Sequence, residues 1–429
     1  VGAVSQPIGG RSYMADEVLA INLSPRGASR ARKLGFQVHG QVGAGGRRGQ
    51  NVTRLVAPRG MGAMKARTML GHDLPPGEQI ALNQIHHPYR VANKDNQTRE
   101  PSQPIGRRSW AGCPPHRCFA RRVIRWHDTV QSCTEGLRIG VIDTHIDQAH
   151  PAFSRAKLSI GDFVSEGRKV ASSWHGTGVT ALLAGDPRSG TPGLIPNAQF
   201  YEAGIFFQDS TGETATDTFS VLSALEWMEA FDVQIINMSF SGPKDELIQK
   251  TIRRMAKRGV LFIAAAGNDG PTVKPNYPAA YPEVVSVTAV TRELHSYAYA
   301  NRGERIDVAA PGVNIWSAIP LGRAGYHTGT SFAAPYATAV LATVYNSGPS
   351  KRKEDVLNRL TIQDLGAPGR DAVYGRGLIT APTRCGKPGG GIAQVPADQI
   401  TPNTALPSRH PTAADTEATY VPSGSPSFR

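Results

Sequence analysis

The chain has no apolar run long enough to cross a membrane as a helix. Its most apolar stretches, such as Gly259 to Gly267, are nine residues long, about half of the roughly 18 that a span needs. Cysteine is scarce: Cys113, Cys118, Cys133 and Cys385 are all there is. A zinc site built on Cys113, Cys118 and the intervening His116 would need a second pair of ligands at finger spacing, and none follows. Two disulfides in an oxidising compartment fit better, and the even count leaves three pairings open. No internal repeat is present, which removes solenoid and array architectures. No base-reading motif accompanies the positive charge, so nucleic acid is not expected as a partner.

The charge is unevenly placed. The chain carries a net +13 over 429 residues; residues 1–135 hold 20 Lys and Arg against 8 Asp and Glu, residues 136–380 hold 23 against 23, and the rest 4 against 3. A basic leading segment of this kind binds polyanions, complements an acidic face of its own partner domain, or stays solvated. With 40% apolar residues the chain is long enough for one large domain and a smaller one.

Residues 1–90 suggest strand, helix, strand, strand, helix, strand: Glu17 to Asn22, Pro25 to Leu34 with Ser24 as N-cap, Phe36 to His39, Val52 to Val56, Gly62 to Leu70, and Gln79 to Ile85. That order predicts a small α+β, ferredoxin-like domain. Residues 91–136 lose periodicity, collect Arg and Pro, and read as a linker containing a processing region. From residue 137 to 385, apolar strands alternate with helical segments, which predicts an α/β domain with a parallel sheet and helices on both faces. Residues 386–429 are rich in Pro, Gly, Ser and Thr and are expected to be a disordered tail.

Parallel sheets place active sites at the carboxyl ends of their strands, and four polar residues in the α/β region stand out. Asp143 ends the strand Arg138 to Ile142; alone, it reads equally as a turn cap. His175 lies in Trp-His-Gly-Thr-Gly-Val at a helix start, where a capping role serves as well, and Gly176 and Gly178 would let a substrate backbone approach. Ser331 lies in Gly-Thr-Ser-Phe-Ala-Ala-Pro before an apolar helix, as an N-cap serine would. Asn268 follows Ala265-Ala266-Gly267, and its amide is a donor for a developing oxyanion or part of an Asn-Asp-Gly turn.

Taken together, these segments are harder to explain singly. Val-Ile-Asp-Thr with His150-Pro151, His-Gly-Thr-Gly-Val, Asn-Met-Ser-Phe-Ser-Gly-Pro (237–243), Ala-Ala-Gly-Asn (265–268), Tyr-Pro-Ala (277–279) and Gly-Thr-Ser-Phe-Ala-Ala-Pro resemble, in order, the subtilase family of serine peptidases, over more than half the chain. The resemblance implies a subtilisin-like fold and an endopeptidase in which Ser331 attacks, His175 is the base and Asp143 orients it. It further implies an oxyanion hole of Asn268 with the Ser331 N–H. Ser239, Phe240, Ser241 and Gly242 would pair with a substrate backbone, and Ala265, Ala266 and Gly267 would wall the first specificity pocket. The leading domain resembles the propeptides of bacterial subtilases, with Asn83 to Arg90 in place of their terminal segment. It would act as intramolecular chaperone and inhibitor of a self-processing zymogen.

The expected partners are polypeptide substrates and this propeptide, with no membrane span and a monomeric state; the expected location is secreted or periplasmic in a bacterium. No cofactor is expected. Relatives bind structural calcium, but no loop here is acidic enough to assign a site, and no metal ligands are assigned. His145 departs from the Gly usual after Asp-Thr, and Asp269 and Asn276 bring polarity to the expected pocket. Two other readings are a catalytically dead binding protein on the same fold and a cationic surface-binding module led by the basic segment.

Overall fold

The computed structural model describes residues 12–43, 51–88, 103–104 and 117–385. The expected tail, most of the processing region, Cys113 and His116 lie outside the described residues.

The larger lobe is built on a nine-stranded sheet. In spatial order its strands are Thr361–Gln363, Leu378–Thr380, Val308–Pro311, Val284–Val290, Leu261–Ala265, Ile235–Met238, Arg138–Asp143, Gln199–Gly204 and Lys157–Asp162. All neighbours pair parallel except the outermost pair, Thr361–Gln363 with Leu378–Thr380. Side chains alternate between two cores, as the pleat requires. Ile139, Val141, Leu261 and Ile263 face one core with the helices Trp174–Ala184 and Thr330–Tyr345. Ile142, Ile236, Met238 and Phe262 face the other, with the helices Thr218–Ala230 and Glu246–Lys257. Both faces are covered, which is why these strands are apolar without interruption.

Arg138–Asp143 lies at the point where the strand order turns back. The chain passes from it to Lys157–Asp162 and Gln199–Gly204 on one side, then crosses to Ile235–Met238 on the other. Asp143, its last residue, therefore opens into the crevice that such a reversal leaves. Residues 117–135, assigned to the linker from composition, pack into the larger lobe, with Phe119, Ala120, Ile124, Trp126 and Val130 buried in its main core. Among the described residues no helix is long and apolar enough to cross a membrane.

The smaller lobe follows the predicted order with shifted ends: Tyr13–Ile21, Pro25–Lys33, Gln37–Val42, Val52–Val56, Ala63–Asp73 and Gln79–Pro88. Ser24 caps the first helix, its hydroxyl accepting from the Gly27 N–H at 3.0 Å and donating to Glu78 Oε1 at 2.6 Å. The strands pair antiparallel in the split βαβ arrangement. Val18 and Ala20 turn toward the lobe's own helices, whereas Leu19, Ile21, Val42 and Val52 pack with Val221 and Leu225 of the larger lobe. An apolar sheet face is thus shared between the lobes.

Candidate active site

The helix Trp174–Ala184 takes in the whole of Trp-His-Gly-Thr-Gly-Val. That brings His175 onto the first turn, over the end of the Asp143 strand. Gly176 donates its N–H to the Thr144 hydroxyl at 2.8 Å, and Asp147 N–H donates to Thr177 Oγ1 at 2.8 Å, so the helix start is stitched to the loop after Asp143. A Cβ on Gly176 would overlap the Thr144 carbonyl, and one on Gly178 would meet His327 at 2.9 Å. These glycines make room for the protein's own packing rather than for a substrate backbone, which corrects the expectation from sequence.

His175 Nδ1 lies 2.7 Å from Asp143 Oδ1, in a pair that is 7% and 1% exposed. The same carboxylate oxygen accepts the Thr144 N–H at 2.6 Å. Ser331 sits in the first turn of Thr330–Tyr345, a helix buried all round. Its Oγ and His175 Nε2 are both buried and neither is closed into a hydrogen bond, as is common before substrate tightens such a site. Phe332 packs against the His175 ring, centroids 5.3 Å apart, and against His327 at 4.5 Å. Burial pushes the His327 imidazole down to about 3, with His175 adding to the lowering, so at neutral pH it is an uncharged wall behind the dyad.

Asn268 follows the strand Leu261–Ala265. Its Oδ1 accepts from both the N–H and the hydroxyl of Thr330, each at 2.9 Å, which fixes the amide so that Nδ2 lies over Gly329. Gly329 has φ +149, and a Cβ there would stand 2.9 Å from Asn268 Nδ2; glycine is required by conformation and by space. Thr330 Oγ1 also accepts the Gly267 N–H at 3.1 Å. Asn268, Gly267 and the residue before Ser331 therefore form one hydrogen-bonded unit.

Phe240–Ser241 forms a strand edge, and it is occupied. The strand Gln79–Pro88 pairs antiparallel with it, Pro88 opposite Phe240 and His87 opposite Ser241, and pairs on its other side with Thr214–Asp217, His86 opposite Thr216. Ser239 is 1% exposed and directs its hydroxyl inward to the Ser331 carbonyl at 3.3 Å. Gly242 N–H donates to Tyr277 O at 2.9 Å, and a Cβ there would overlap the His86 ring. Ala265 ends its strand, and Ala266 N–H donates to Val287 O at 2.9 Å. Asp269 Oδ2 accepts from Asn276 Nδ2 at 2.6 Å, joining the two polar residues at this edge.

His145 lies 3.1 Å from Asp162 Oδ1, and His150 bridges the Ala152 N–H and the Arg323 carbonyl. Among the described residues no three His, Cys, Asp or Glu side chains are placed to hold a metal ion. Thr144, Thr330 and His86 lie at this site and were not singled out from the sequence. Only the position of Thr144 and Thr330 beside Asp143 and Ser331 could have marked them.

Fold and site define a doubly wound α/β protein that carries an Asp–His pair and a helix-borne serine in the chain order Asp, His, Ser. The subtilase family model matches residues 134–377, and the chain belongs to that family. Subtilisin E of Bacillus subtilis (strain 168) is 33% identical over 251 residues, covering 57% of this chain and 64% of its own; the chain thus spans less than two thirds of that relative's length. Fervidolysin from Fervidobacterium pennivorans, described as a keratinolytic enzyme related to subtilisin, superposes with a TM-score of 0.68 at 19% identity, over 88% of this chain and 62% of its own. The prenylagaramide maturation protease PagA superposes at 0.50 and 26% identity, over 58% of this chain and 94% of its own.

Proposed function

We propose that this protein is a serine endopeptidase made as a self-processing zymogen, acting on extended polypeptide. Ser331 Oγ attacks the scissile carbonyl. His175 takes its proton and returns it to the leaving amine, while Asp143 holds the imidazole with Nδ1–H toward the carboxylate. Asn268 Nδ2 and the Ser331 N–H receive the oxyanion, aided by the amino end of a long buried helix. The 2.7 Å contact of His175 Nδ1 with Asp143, beside a serine at that helix start, carries the reading.

The strand Gln79–Pro88 supports the zymogen half of the proposal. It lies antiparallel in the cleft on the edge a substrate would use, so the smaller lobe acts as inhibitor until it is cut free and released. The chemistry described needs no metal or cofactor, and calcium remains unassigned. Release outside the cytoplasm, in an oxidising compartment, is consistent with the disulfide Cys133–Cys385.

The test is to express the chain and its Ser331→Ala variant side by side, following intact mass and fluorophosphonate labelling. The unmutated chain is expected to shorten and take the label, and the variant to stay full length and unlabelled. Shortening of both, or labelling of neither under oxidising conditions, would overturn the proposal.

A further inference from the structure

Outside the triad, Glu202 is a buried acid. It lies on Gln199–Gly204, the strand beside Asp143, in parallel register: Val141 is opposite Glu202 and Asp143 opposite Gly204. Paired residues of a parallel sheet point to the same face, and so do residues two apart on one strand. Asp143, Val141 and Glu202 therefore share the face beneath the helix of His175. The flanking partners of Glu202 in the sheet, Val141 and Ile160, are apolar.

A carboxyl group 2% exposed in such surroundings is unusual. Its Oε1 and the Thr180 hydroxyl are both buried and neither is closed into a hydrogen bond of normal geometry. The Thr180 side chain stands beside it and opposes the effect of burial on its charge. Thr180 is on the His175 helix, so the pair bridges the sheet and the helix that the dyad also bridges.

We propose that Glu202 is a positioning residue for the reaction, a buried carboxylic acid that braces the strand next to that of Asp143 against the helix of His175, beside Thr180, and so aligns the dyad. The proposal rests on the serine-peptidase reading above. Burial holds the Glu202 carboxyl well above the usual carboxylate range, opposed by Thr180, and Asp143 raises it further. Asp143 is the charged group facing it; the strands on either side present Val141 and Ile160, and the helix above presents Thr180 and, nearer its start, His175. A neutral Glu202 leaves Asp143 as the single negative charge beneath His175. Ionised, it would add a second, unpaired buried charge beneath the dyad, straining the strand and helix that align it.

Two variants of the full chain, Glu202→Gln and Glu202→Leu, test this through kcat and KM from neutral to strongly alkaline pH, with fluorophosphonate labelling. The amide keeps a neutral hydrogen-bonding group, so Glu202→Gln is expected to match the wild type at neutral pH. It should also keep its activity at alkaline pH, where the wild type declines as Glu202 ionises. Glu202→Leu is expected to lose about tenfold in kcat with KM little changed, as loss of alignment does. A folded Leu variant with wild-type kcat, or a Gln variant with the wild type's alkaline decline, would overturn the proposal; should the Leu variant not fold, the Gln profile decides. If no form takes the label, the serine-peptidase reading falls and this inference with it.

Discussion

Pro335 deprives the nucleophile's helix of one backbone N–H, the one that would have bonded the Ser331 carbonyl four residues back. Ser239 Oγ takes its place at 3.3 Å, itself held by Asn237 Nδ2 at 3.2 Å, while Thr338 donates to Asn237 Oδ1 at 3.0 Å. All of these groups are buried. Ser239→Ala would leave a buried carbonyl without a donor, at about 1–3 kcal/mol; thermal unfolding should register the loss, with kcat lowered in parallel. Asn268→Asp keeps the acceptor that Thr330 uses and removes the oxyanion donor. Single-turnover acylation should slow about 100- to 1000-fold, with substrate affinity little altered. The four candidate residues stood out in the sequence because each sits in a distinctive short motif. Ser239 and Thr330 were less legible, since their roles are set by partners such as Ser331 and Asn268, 92 and 62 residues away.

The element joining the lobes is the strand Gln79–Pro88. Its expected end was Ile85, where the alternation of the small lobe stops; the last residues are strand only because Phe240–Ser241 and Thr214–Asp217 of the other lobe pair with them. Such tertiary pairing leaves no local trace. His86 is buried in this stretch, its ring nitrogens without hydrogen bonds and Nε2 4.0 Å from Asp245. Burial lowers its pKa, with Asp245 and Asp217 opposing and His87 adding to the lowering. The seated strand thus holds a proton less readily than the released one, where histidine titrates near about 6.5. Seating is fully favourable above that value and weakens as pH falls through it, by up to about tenfold per unit until the seated imidazole itself protonates. Dissociation of the small lobe from the processed protein, followed by gel filtration, should rise between pH 7.5 and 5.5, and His86→Leu should flatten that rise; an unchanged slope in the variant would assign the pH response elsewhere.

At the scale of the whole molecule, Cys133 and Cys385 bridge the two ends of the larger lobe across a sequence separation of 252, and Cys118 is disulfide-bonded as well. Spacing could give the count but not the pairing, because the pairing depends on how the fold brings the termini of the lobe together. Chain-entropy reasoning allows such a closure at most about 5 kcal/mol. Replacing both Cys133 and Cys385 by Ser should lower Tm by several degrees under oxidising conditions, as differential scanning calorimetry would read, while leaving the activity of folded enzyme intact. Among the described residues, the arginine ion pair that crosses between the lobes runs against the charge asymmetry: Arg168 of the neutral lobe joins Glu17 of the basic one, and also Asp217 of its own lobe. The positive charge of the leading segment is therefore not what seats it among the described residues; Leu19, Ile21, Val42 and Val52 on the shared sheet face are. Because one strand completes the small lobe's sheet and fills the cleft, the lobe's own unfolding and its departure are a single linked equilibrium. On the zymogen proposal, substitutions in the interior of that lobe, such as at Leu55 or Leu70, far from any reacting atom, would set how long the enzyme stays silent: the folding stability of one lobe would be the timer of the other.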